Sequence, residues 1–149
     1  MIKYIGGALL IAAGWILGNT FFTIYRDRVE MLDRFQAFLS YSENEISFFK
    51  TEMKAIIEKF RKNADKYDDL IFDKEKRSFI KNKELSSTIN TFFERVTLLD
   101  SENHKYFYTE TKNNVAILKE KAVKDIEIKG KMAKRLLPIL AVGIFILTL

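Results

Sequence analysis

The 149-residue chain has no cysteine, one histidine, one tryptophan, one proline and six glycines. Without cysteine there is no disulfide, no thiolate ligand for zinc and no thiol nucleophile, although that absence assigns no compartment. No GxxxxGK[ST], GxGxxG or GxSxG occurs, so the chain lacks a phosphate cradle and a serine elbow of its own. His104 stands alone, with no HExxH around it, and reads as a surface or interface residue rather than a general base. Asp68, Asp69 and Asp73 lack the turn glycine and the terminal bidentate glutamate of a calcium loop, and read as a solvated loop. Catalysis needs groups of tuned pKa within hydrogen-bond reach of each other, and the raw material is missing. The expectation is a protein that is not an enzyme and has no cofactor and no metal site.

What is present is strongly segregated. Every Asp and Glu, and 24 of the 25 Lys and Arg, lie between Arg26 and Arg135, the exception being Lys3. That block has a net charge of only +4, so no nucleic acid is expected; its excess gathers beside two apolar ends, where lipid phosphates are the fitting partner. Residues 4–25 carry no charge and would span about 33 Å as a helix, enough to cross a bilayer. Tyr4 and Tyr25 bracket the run, and Arg26, Arg28 and Arg34 on one side outweigh Lys3 on the other, which places the middle of the chain in the cytoplasm. The run exceeds the roughly 7 to 15 apolar residues of a signal peptide, and IYRDR after it offers no small-x-small cleavage site. A retained anchor is expected. Gly14 and Gly18 form a GxxxG, with Gly7 on the same face one heptad earlier, a pattern that lets another helix approach closely.

The chain closes on KGKMAKRLLPILAVGIFILTL. Residues 136–149 reach only about 21 Å as a helix; counted from Met132, with Lys134 and Arg135 snorkelling toward headgroups, the length is about 27 Å. A bilayer absorbs so small a mismatch at little cost. Three parts are therefore expected: an N-terminal transmembrane helix (1–25), a cytoplasmic helical domain (26–131) and a short C-terminal transmembrane helix (132–149). Both termini would lie outside the cytoplasm. A basic collar of Arg26, Arg28, Lys129, Lys131, Lys134 and Arg135 would meet the lipid phosphates.

The charged middle reads as all-α, a bundle of about four main helices. Val29, Leu32, Phe35 and Phe38 or Leu39 recur every three to four residues. Ser42-x-x-Glu45 ahead of Ile46 then reads as a capping box that starts a second helix, with Ile46, Phe49, Met53, Ile56 or Ile57 and Phe60 inward. Residues 62–83 read as a loop or short helices around Tyr67, Leu70, Ile71 and Phe72. Leu85, Ile89, Phe92, Phe93 and Val96 restore a stripe. Asp100 or Ser101 caps a last helix of about 30 residues that turns Phe107 or Tyr108, Val115, Leu118, Ala122 and Ile126 inward, with Gly130 as a weak point.

Met1-x-Lys3-x-x-Gly6, then Gly18, Tyr25 and Arg28, then Glu45-Ile46, and finally Lys131-Met132-x-Lys134 before an apolar end follow one another in a familiar order. In these features, over residues 1–50 and 96–149, the chain resembles the stage III sporulation protein AB family. It departs at Val96-Thr97-Leu98-Leu99-Asp100-x-x-x-His104, which keeps only the Asp of the family's pattern, and at Ser47-Phe48-Phe49, which replaces a Tyr-Gly turn. The resemblance implies an endospore-forming bacterium and a place in the mother-cell membrane around the forespore, within the complex that bridges the two cells. It also implies a cytoplasmic domain similar to that of the F platform proteins of type II secretion and type IV pili. The implied partners are a cytoplasmic secretion-type ATPase and other membrane subunits of the same complex. Glu45, Ile46, Asp100 and His104 are the partner-binding candidates. Other readings are a pilus or secretion platform outside sporulation and a membrane-tethered signalling or nucleic-acid-binding module.

Overall fold

The computed structural model describes residues 2–99 and 101–148, and among these there is no strand. Six α-helices follow in order: α1 (Ile2–Phe49), α2 (Met53–Phe60), α3 (Asp68–Phe72), α4 (Lys83–Val96), α5 (Ser101–Asp125) and α6 (Lys131–Thr148). A 3-10 turn (Lys76–Phe79) precedes α4, and a π-helical stretch (Ile126–Gly130) joins α5 to α6. The chain divides into two compact units, one built from residues up to Val29 and from Glu120 onward, the other from Glu30–Lys119.

In the Glu30–Lys119 unit, Leu32, Phe35, Phe38 and Leu39 of α1 are fully buried, as their spacing on one helical face requires. Phe38 is the hub: its ring meets Phe60 of α2 at 5.3 Å, Phe72 of α3 at 4.8 Å and Phe92 of α4 at 6.2 Å, each close to edge-on. Phe92 in turn stacks on Phe107 of α5 at 5.7 Å and meets Tyr108 edge-on. Such pairs add about 0.5–1.5 kcal/mol each beyond the apolar area they bury. Helix α4 begins where the Asn82 carboxamide oxygen accepts the amides of Glu84 (3.0 Å) and Leu85 (3.3 Å), a cap whose removal in Asn82→Ala is expected to cost about 1 kcal/mol by chemical denaturation.

The mixed pattern of residues 62–83 folds as short pieces, but Asp68 is not in a solvated loop. It is buried, and Arg34 grips its carboxylate twice, Nε to Oδ1 at 2.9 Å and Nη2 to Oδ2 at 3.1 Å. The same guanidinium donates to the Asn63 carbonyl and lies 4.0 Å from the Phe60 ring centroid, tying the loop to α1 and α2. Isolated apolar residues in the sequence concealed this because the anchor is a charge.

The capping box at Ser42 does not form. Helix α1 runs on through it to Phe49, and Ser42 is buried with its Oγ donating to the Leu39 carbonyl at 3.2 Å. The hydroxyl that could have capped a new helix instead receives the Tyr108 hydroxyl at 3.0 Å. The break falls eight residues later, at Lys50, which takes a left-handed φ of 49° and sends its amide to the Ile46 carbonyl at 3.2 Å. That is the usual geometry of a helix end closed by glycine. A side chain there is strained, so Lys50→Gly is expected to raise the unfolding free energy by about 1 kcal/mol, and a fall instead would contradict the assignment.

Candidate functional site

At the end of the Glu30–Lys119 unit the Lys50 turn, the start of α2, the end of α4 and the start of α5 enclose a cavity of about 610 Å³. Its walls mix apolar side chains, Ile46, Met53 and Val96, with Lys50, Thr51 and His104. Phe48, Phe49 and Leu98, which neighbour these residues along the chain, are 78%, 72% and 82% exposed. Phe79, Tyr106 and Ile117 of the same unit are exposed as well, so it is the cavity, with three such side chains beside its lining residues in sequence, that marks the candidate interaction surface.

The candidates from the sequence fall as follows. Ile46 and His104, 58 positions apart, line this one cavity. Glu45 lies beside it, but its carboxylate is engaged within the chain, accepting from Thr51 Oγ1 at 3.1 Å and Lys59 Nζ at 3.2 Å across the Lys50 turn. Glu45 is therefore a staple between α1 and α2 and not the cap of a new helix. The Lys59 hydrogen bond, with help from Thr51, holds the Glu45 carboxyl below the usual carboxylate range. A depressed folded pKa contributes stability that is present above the unfolded value, near 4.3, and is lost as pH falls through the folded value. Glu45→Gln is expected to lower the unfolding midpoint at pH 7, with the gap to the parent closing as the pH falls below about 4. Asp100 lies outside the described residues.

His104 rests on Tyr108, ring centroids 6.5 Å apart and planes inclined by 25°. Its Nδ1 is buried with no hydrogen-bond partner. Burial pushes the Tyr108 phenol up to about 12, with the Ser42 hydroxyl bond acting against that, so the phenol stays protonated at neutral pH and can keep donating to Ser42. The Tyr108–Ser42 bond fixes the ring on which the imidazole lies. Sequence reading missed Lys50, Thr51 and this hydroxyl pair. The signal was available: the spacing from Phe38 to Ser42 to Ile46 is four and four, which continues a helical face without interruption.

The other unit holds the glycine face. Gly7, Gly14 and Gly18 are buried, and side chains at these positions would collide with α6. A Cβ on Gly7 would enter the Phe145 ring. On Gly14 it would come within 2.9 Å of the Ala141 Cβ and 3.0 Å of the Leu137 carbonyl oxygen, and on Gly18 within 3.0 Å of the Ala133 carbonyl oxygen. Pro138 lies inside α6 and has no amide to offer the Lys134 carbonyl four residues back, and that carbonyl is among the atoms closest to Gly18. At Gly130, the expected weak point, the regular α-helix does give way to the π-helical stretch, and Gly130 itself is buried beneath Phe22 and Tyr25.

Of the basic collar, Arg28 and Lys129 both reach Asp125, at 3.9 and 3.0 Å, and Lys134 Nζ sits 4.9 Å from the Phe22 ring centroid. Arg26, Lys131 and Arg135 are exposed. Helix α1 contains the one stretch, among the described residues, long and apolar enough to cross a membrane. The described residues hold no group of three or more carboxylates and imidazoles placed to share a metal ion.

A protein-family model described as stage III sporulation protein AB matches residues 3–87, more than half of the chain. The matched span takes in α1, the Lys50 turn, α2, α3 and the opening of α4, and so includes Glu45 and Ile46 but not His104. No curated protein and no solved structure matches.

Proposed function

The chain belongs to the stage III sporulation protein AB family, which gives it a role in sporulation, and from that premise we propose that it is a non-enzymatic membrane platform in the channel complex between mother cell and forespore. In this reading it couples a cytoplasmic secretion-type ATPase to the membrane subunits of that complex. The observation that carries the reading is the cavity beside Ile46 and His104 with Phe48, Phe49 and Leu98 exposed around it in sequence, a surface suited to contacts rather than to bond making. The platform sits in the membrane as a two-pass hairpin with both termini outside and the bulk of the chain in the cytoplasm. Support for that topology comes from the uncharged run of residues 4–25 and from the glycine face of α1 packed on α6. The collar cations Lys131 and Arg135 lie where they can meet lipid phosphates.

The test is capture from membranes of sporulating cells with the full-length chain as bait. The platform reading expects a secretion-type ATPase in the wild-type eluate and at least a tenfold loss with Ile46→Asp, whose side chain puts a charge in the cavity wall. Absence of any such ATPase from the wild-type eluate would remove the coupling role.

A further inference from the structure

We infer that the cavity beside Ile46 and His104 receives a short acidic and apolar peptide segment of a partner protein, an apolar side chain filling the space and a carboxylate held by Lys50 and Lys105. This rests on the platform reading and adds the chemistry of what docks there. Two observations carry it. The cavity, about 610 Å³, is larger than one side chain needs and has an apolar wall from Ile46, Met53 and Val96, so an anchor residue together with its adjoining backbone fits.

Lys50 and Lys105 both line the cavity and pair with no acid among the described residues, whereas Glu52 is the one acidic side chain in the wall among those residues. Two cations free of ion pairs favour a negative partner and steer its approach. Lys50 is moreover held at a left-handed φ of 49°, which sets the direction of its Cα–Cβ bond. A basic segment meets the same two lysines and is repelled.

His104 is the only histidine, so full-length protein labelled with 15N-histidine and carrying a histidine-free tag gives one set of imidazole resonances. The probes are three capped hexapeptides: Glu-Asp-Leu-Phe-Glu-Asp, and its counterparts with glutamine or lysine in place of every acid. The expected result is a saturable shift of the His104 signals by the acidic peptide, with at least tenfold tighter binding than the glutamine peptide and no shift by the lysine peptide. In Lys50→Glu with Lys105→Glu that order reverses. Equal shifts from the acidic and lysine peptides, or none from the acidic peptide at millimolar concentration, would overturn the inference. If ATPase capture persists while the peptide result fails, the platform reading stands without this chemistry. Peptide recognition without ATPase capture would keep the chemistry and remove the platform.

Discussion

Replacing Phe38 with alanine is expected to destabilise the Glu30–Lys119 unit by about 3–5 kcal/mol. Phe38 is fully buried and touches rings from α2, α3 and α4 at once. Its loss leaves a void that no one helix can close without drawing away from the others. Hydrogen exchange of the full-length protein reads this out, with protection in α4 and in residues 31–42 falling by about two to four orders of magnitude. Phe48→Ala is the control. Its ring is 78% exposed, and its removal should change stability by no more than about 0.5 kcal/mol.

Gly18→Leu is expected to have the second large effect, on the unit that α1 and α6 share. The Cβ alone would lie 3.0 Å from the Ala133 carbonyl oxygen and 3.1 Å from the Lys134 Cα, and backbone cannot swing aside as a side chain can. Overpacking of this kind costs about 1–3 kcal/mol and more when the obstacle is main chain. Thermal unfolding of the full-length protein in detergent reads this out, with the midpoint of Gly18→Leu expected to fall by several degrees. Gly6, whose Cβ would meet nothing within 4 Å, tolerates leucine without that loss.

The helical character of the chain was legible because the stripes of α1, α4 and α5 keep their period over many turns: Leu85, Ile89, Phe92 and Val96 are all buried, as are Phe107, Tyr108, Val115 and Ala122. The packing of Gly14 and Gly18 against α6 was legible in kind, since missing side chains permit close approach, but no spacing rule names the helix that approaches. The false break at Ser42 arose because Ser-x-x-Glu carries the same atoms whether it caps a helix or sits within one. What decided the matter was Tyr108, 66 residues away, whose hydroxyl takes Ser42 as its partner. The Lys50 turn was illegible for a related reason: a left-handed residue is expected to be glycine, and here the Glu45 staple to Thr51 and Lys59 compensates for a lysine. His104 could be placed near a helix start by its sequence. That it shares a cavity with Ile46 is a property of the folded unit alone.

The proposed docking of a secretion-type ATPase at this end of the Glu30–Lys119 unit is read out by site-specific photocrosslinking in sporulating cells. A benzophenone amino acid in place of Phe49, exposed next to the Lys50 turn, is predicted to form an adduct with a cytoplasmic secretion-type ATPase, and the same group in place of Phe79, equally exposed in the 3-10 turn, is predicted to form none. An ATPase adduct from position 79 with none from position 49, or from neither position, would contradict the account.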